Sequence, residues 1–157
     1  MSFPVEIREK IDQIVLKSET KQSALIPVLH EVQIKYGWLS SESMKEVAEI
    51  LDLPPASVQN VATFYTMFFT KPVGRHVIWL CRTLSCALRG AEHVEHYLSE
   101  KLGIHTGETT PDGKITLLEA ECLASCGTAP VMLFDDELFE NLTRKKIDEL
   151  IEKLRQG

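Results

Sequence analysis

Four cysteines constrain this chain more than any other feature of it. They stand in two close pairs, Cys81-x4-Cys86 and Cys122-x3-Cys126, with 35 residues between the pairs and no other cysteine among 157 residues. Two thiolates on one short loop can wrap a metal without straining the backbone. Two such loops together supply a four-sulfur shell of the kind used by zinc and by iron–sulfur clusters. The competing use of paired cysteines is the structural disulfide. Met1-Ser2-Phe3-Pro4 leads directly into an acidic amphipathic segment with no secretory signal, so a reducing compartment is expected and disulfides are not. A redox-active dithiol needs Cys-x-x-Cys, and neither pair has that spacing. Spacing alone leaves two readings open: an interaction module stapled by structural zinc in a shell of four cysteines, and an iron–sulfur centre.

Charge and hydropathy remove other classes. The chain carries 23 acidic against 17 basic side chains, a formal net charge of −6. A nucleic-acid binder needs a concentrated basic face to replace counterions on phosphates. The third and fourth helical patterns, residues 41–66, resemble a helix-turn-helix, but residues 54–66 contain no lysine or arginine, and residues 41–70 set Glu42, Glu46, Glu49 and Asp52 against Lys45 alone. The longest apolar runs, residues 77–81 and 129–134, are strand-sized and too short to span a bilayer, so a membrane role is expected only through a partner. No glycine pattern for a dinucleotide or a phosphate is present, which predicts that the chain does not take hydride by itself.

The pattern of residues predicts an α+β chain in two parts, a helical bundle over residues 1–70 and an α/β domain over residues 75–157, divided at Lys71-Pro72-Val73-Gly74. In the first part, apolar positions recur at helical spacing through Ile7, Ile11, Ile14 and Val15, through Leu25, Leu29, Val32 and Tyr36, through Met44, Val47, Ala48 and Leu51, and through Val58, Val61, Ala62 and Tyr65. Pro27 is tolerated in an opening turn, Gly37 is the expected stop, and Ser40 or Ser41 the expected cap of the third helix. Trp38 and Leu39 read as a packing turn. The aromatic run Phe64-Tyr65-Thr66-Met67-Phe68-Phe69 reads as core, with a docking surface as the alternative.

The second part reads as a strand over residues 76–81, a loop over 82–89 carrying Cys86, a helix over 90–102 closed by Gly103, and a turn at Thr110-Pro111-Asp112-Gly113. A second strand follows over 115–120, then a hairpin across Asp135-Asp136-Glu137, and a last helix capped by Thr143 with Ile147, Leu150, Ile151 and Leu154 inward. If the first two strands are parallel neighbours, the loops leaving them lie side by side, and each carries a cysteine pair. That brings Cys81 and Cys86 to Cys122 and Cys126 although they are far apart in sequence.

Several stretches resemble one family. They are Gln33-x2-Tyr36-Gly37-Trp38-Leu39, Phe64-Tyr65-Thr66-Met67-Phe68, Cys81-x4-Cys86-Ala87-Leu88-Arg89-Gly90-Ala91, Thr110-Pro111-Asp112-Gly113-Lys114, Glu121-Cys122-Leu123-x2-Cys126-x2-Ala129-Pro130 and Glu140-Asn141-Leu142-Thr143. Together they are similar to the thioredoxin-like [2Fe–2S] ferredoxins, and more narrowly to the small iron–sulfur subunit of the NADH dehydrogenase module of respiratory complex I. The resemblance implies a thioredoxin-like α/β domain and one [2Fe–2S] cluster held by Cys81, Cys86, Cys122 and Cys126. It implies an electron-transfer subunit of an NADH-quinone oxidoreductase, not catalytic alone, docked to a flavoprotein that binds FMN and NADH. Such a subunit would be cytoplasmic, in a complex peripheral to the inner membrane. Small subunits of NAD-linked hydrogenases and formate dehydrogenases share the motifs and are the alternative host.

Two details of the motif depart from the family. Where it usually has Cys-Leu-Gly-Ala-Cys, this chain has Ala124 and Ser125, so a positive φ at position 124 would be strained. A Ser125 hydroxyl aimed at a cluster sulfur would raise the reduction potential, which all-cysteine ligation otherwise sets on the order of −400 mV. The histidines His30, His76, His93, His96 and His105 do not lie between the paired cysteines and read as packing or surface residues.

Overall fold

The computed structural model describes residues 3–156, with side chains as far as Lys153; the inward position expected for Leu154 lies outside the described residues. By its internal contacts the chain divides into two compact units, Met1–Pro72 and Val73–Gly157.

The first unit is a bundle of four helices: α1 (Val5–Lys17), α2 (Leu25–Tyr36), α3 (Ser41–Leu51) and α4 (Pro55–Phe64). Their ends follow from local chemistry. Pro27 sits in the first turn of α2, where backbone N–H groups have no partner within the helix to lose. Gly37 stops α2 at φ 79° and donates its N–H to the Gln33 carbonyl. Ser40 caps α3 by accepting from the Ser43 N–H. The predicted stripes meet in one core that includes Ile7, Ile11, Leu25, Leu29, Val32, Leu39, Val47, Leu51 and Val58.

One expectation for this unit is corrected, and one of the acids counted over residues 41–70 lies inside. Glu46 is not part of an acidic outer face: it is 5% exposed, and its carboxylate accepts from the Phe3 N–H and from Arg8, tying the N-terminal end of the chain to α3. The aromatic run is not all core either. Phe68 is buried, whereas Phe64 is 79% exposed and Tyr65 and Met67 are exposed as well. The helix ends at Phe64, so the chain turns away; Phe68 points back inward, its ring against His30, and Phe69 is half-buried. Gln33 fixes this turn from α2, donating to the Met67 carbonyl at 2.8 Å and accepting from the Phe69 N–H at 2.7 Å.

The second unit is a four-stranded mixed sheet with helices: β1 (His76–Cys81), α5 (Leu84–Leu88), α6 (Ala91–Leu102), β2 (Ile115–Ala120), β3 (Met132–Phe134), β4 (Glu137–Phe139) and α7 (Arg144–Gln156). The strand order is β2-β1-β3-β4. β1 and β2 are parallel, from His76 opposite Ile115 to Cys81 opposite Ala120, while β3 runs antiparallel to β1 and β4 antiparallel to β3. Parallel pairing requires a long crossover, supplied here by residues 82–114. Gly74 precedes β1 where a Cβ would stand 2.8 to 2.9 Å from the backbone of Lys114 and Ile115, so only glycine lets the chain lie against β2 there. Ile78, Leu80, Leu98, Leu117, Met132 and Ile147 form the core.

The segment read as a loop over residues 82–89 holds the short helix α5, and the hairpin turns at Asp135-Asp136 with Asp135 at φ 51°, one residue tighter than the sequence suggests. Asp135 is held there by its carboxylate, which accepts from the Val77 N–H and pairs with His76.

Candidate metal centre

Both cysteine pairs leave the carboxyl ends of β1 and β2. Cys81 is the last residue of β1, its N–H bonded to the Val131 carbonyl at 3.1 Å, and Cys86 lies on α5. Cys122 follows β2 by two residues, and Cys126 opens a single 3-10 turn, Cys126–Thr128. All four are free thiols; Cys81 and Cys86 are buried, and Cys122 and Cys126 are exposed. Cys81 and Cys86 pack with Ala91, Ala129 and Val131, and Leu123 covers them from the second loop.

Contacts between the loops bring the pairs to one corner. The Cys81 Sγ lies 3.3 Å from the Thr83 hydroxyl and 3.7 Å from the Glu121 carbonyl, the residue just before Cys122. Burial pushes the Cys81 thiol up, but hydrogen bonds from the Thr83 hydroxyl and N–H, from Cys86 and from the Leu123 N–H outweigh it and hold the group below the ordinary cysteine range. Burial and the adjacent Cys81 push Cys86 up, and the charge of Cys126 adds to the effect. On the second loop the Ala124 N–H donates to the Cys122 Sγ at 3.4 Å. That loop does carry the positive φ suspected from the sequence: Ala124 sits at φ 56°.

Ser125 does something else than aim at a sulfur. Its hydroxyl donates to the Glu140 carboxylate and lies 2.7 Å from the Thr128 hydroxyl. Thr128 also donates to Glu140. These hydroxyls hold the Glu140 carboxyl below the usual carboxylate range, with the Lys146 charge contributing less. In the sequence Glu140 stands out only as part of a flanking motif, and its partnership with Ser125 and Thr128 is a tertiary contact; Thr83 lies two residues from Cys81, a local contact that no motif marks.

The donor set suits a polynuclear iron–sulfur group. Four thiols, two on each of two apposed loops, match the four-cysteine shell of a [2Fe–2S] cluster, which spreads them over two irons. The histidines are accounted for otherwise where their contacts are seen: His30 lies against Phe68 and His76 pairs with Asp135.

The family model for the thioredoxin-like [2Fe–2S] ferredoxin matches residues 11–155. The chain belongs to that family. Several relatives are named as subunits of NADH-quinone oxidoreductase. NADH-quinone oxidoreductase subunit 2 of Thermus thermophilus is 41% identical over 140 residues, 88% of this chain and 77% of that protein. An NADH-quinone oxidoreductase subunit of Escherichia coli is 37% identical over 94% of this chain and 89% of its own length. Among solved structures, an NAD+-reducing [NiFe]-hydrogenase in its H2-reduced state superposes with a TM-score of 0.75 at 25% identity; the match covers 89% of this chain and 23% of the hydrogenase chain. A family member of this kind is an iron–sulfur protein, and the fold is the α+β arrangement expected. Among the described residues no helix is long and apolar enough to cross a membrane.

Proposed function

We propose that this chain is the electron-transfer subunit of an NADH-quinone oxidoreductase, with Cys81, Cys86, Cys122 and Cys126 holding one [2Fe–2S] cluster opposite the FMN of a partner flavoprotein that binds NADH. The meeting of two sequence-distant cysteine pairs at the exits of adjacent parallel strands is the observation that carries the reading. When bound, such a cluster supplies one-electron transfer. The chain's own residues do the rest. Cys81 and Cys86 lie buried under Leu123 and Val131, which keeps water from half of the sulfur shell. Cys122 and Cys126 face outward, leaving the short route to a partner on that side. The Thr83 hydroxyl and the Leu123 N–H donate to Cys81 and withdraw charge from it. A flavin on the partner would supply the change from two-electron to one-electron chemistry, and this chain's part would be to hold the cluster that takes single electrons. We assign the bundle to residues 1–70 and the cluster domain to residues 75–157, in a complex on the cytoplasmic side of the inner membrane.

The test is anaerobic purification with its co-purifying subunits, followed by iron, sulfide and flavin analysis and EPR after dithionite reduction. Two irons and two sulfides per chain with a reduced-state EPR signal are expected, and replacing any one of the four cysteines by alanine should abolish that signal. Stoichiometric zinc without sulfide overturns the reading. The superposition on the NAD+-reducing hydrogenase favours a second host for the same centre; a hydrogenase large subunit in place of quinone-reductase subunits among the co-purifying proteins would establish it.

A further inference from the structure

The second cysteine loop has almost no secondary structure of its own. Residues 121–125 belong to no helix or strand, and only the 3-10 turn Cys126–Thr128 follows. What fixes it comes from the far end of the hairpin. Glu140, one residue past β4, takes hydrogen bonds from Ser125 and Thr128, the residues on either side of the Cys126-Gly127 pair. The Asn141 N–H donates to the Thr128 carbonyl at 2.7 Å and the Leu142 N–H to the Pro130 carbonyl at 3.0 Å. Lys146 of α7 anchors the other side of this segment by donating to the Glu140 carbonyl at 2.8 Å. Residues 140–142 thus run along the loop as a strap, and the Glu140 carboxylate carries its side-chain contacts to the loop. An ionised carboxylate only accepts, so it turns both hydroxyls toward itself and away from the thiols.

We propose that Glu140 is a positioning residue of the metal centre: through Ser125 and Thr128 it fixes the loop that presents Cys126, and its negative charge lowers the reduction potential of a cluster bound there. This rests on the reading of the four cysteines given above. The sign follows from Coulomb's law. Reduction adds one negative charge to the cluster, a fixed carboxylate beside the loop opposes that addition, and the potential of such centres follows local charge.

The test uses the full chain, reconstituted anaerobically with iron and sulfide, as wild type, Glu140→Gln and Glu140→Ala. The glutamine keeps an acceptor oxygen for both hydroxyls and removes the charge; the alanine removes both. Iron release to a chelator should be at least about fivefold faster for Glu140→Ala and close to wild type for Glu140→Gln. At the wild-type midpoint, the reduced-to-oxidised ratio should rise about tenfold in both variants, which for a one-electron couple is a shift of about 59 mV. An unchanged midpoint in Glu140→Gln, or iron held by Glu140→Ala as long as by wild type, overturns the proposal. Wild-type chain that takes up no cluster overturns the assignment of the cysteines and this proposal with it. A wild-type cluster indifferent to both substitutions removes only the role of Glu140.

Discussion

Ala124 occupies the left-handed region, at φ 56°, between Cys122 and Cys126. For an L-residue with a Cβ that conformation costs about 1–2 kcal/mol, and glycine gives back part of the gain through its freer unfolded chain. Ala124→Gly is therefore expected to stabilise the chain by about 0.5–1 kcal/mol, read as a rise in the urea midpoint at unchanged slope. A fall in the midpoint would mean that the alanine methyl makes packing contacts that outweigh the strain. The Ala124 N–H to Cys122 Sγ contact uses only the backbone of residue 124, so the substitution leaves that donor in place. At the same scale, Ser125 shows how a residue's neighbour in space overrides its neighbour in sequence: set beside a cysteine along the chain, its hydroxyl goes to Glu140.

Among the elements, the pairing of β1 with β2 places both cysteine loops, and Gly74 protects it. The Gly74 N–H also donates to the Thr116 hydroxyl at 2.6 Å, so the chain is bound to β2 before β1 begins. Gly74→Ala forces a methyl against backbone atoms that cannot move singly. It should destabilise the chain by about 2–3 kcal/mol in chemical denaturation, and a loss below ~0.5 kcal/mol would show that β2 can shift. Elements of this unit are legible in the sequence wherever they are long enough to show a period or carry a cap: β1, β2 and α6 follow the expected ranges, and the Thr143 hydroxyl accepts from the Lys146 N–H at the start of α7. α5 escapes because five residues hold little more than one turn, and its Leu84 and Leu88 are 74% and 79% exposed, so no apolar stripe marks an inward face. The four cysteines are legible because ligand pairs are local. The Glu140 strap is not, because its partners lie 12 and 15 residues away and no spacing rule joins a hydroxyl to a carboxylate at that range.

On the scale of the whole molecule, several carboxylates are tied into the fold rather than free in solvent. Asp112 is held below its ordinary range by the Thr110 hydroxyl and the Lys114 N–H, Glu140 by Ser125 and Thr128, and Asp148 by Lys101 and then Tyr97. Asp148 thereby links α7 to α6, accepting from the Tyr97 hydroxyl at 2.8 Å and from Lys101 at 2.9 Å. Each of these groups has a lower pKa folded than unfolded. The stability they contribute is present above the unfolded values near ~4 and is lost as the pH falls through the folded ones. Thermal unfolding followed by circular dichroism should show a Tm that declines as the pH falls below about 4. A Tm as high at pH 3 as at pH 6 would contradict that linkage.

The crossover from β1 to β2, residues 82–114, and the register of the two strands answer to different constraints. Sliding β2 past β1 by a single position would reverse the side of the sheet to which every one of its side chains projects, and Cys122 would be carried off with them. Extra residues inserted at the Gly103 end of α6 would merely lengthen an excursion that starts and finishes at fixed points. Length can therefore drift in the excursion while the alignment of six facing residue pairs stays put, so in this architecture the count of residues between the two halves of the sulfur shell is free, and only the phase of the strands is not.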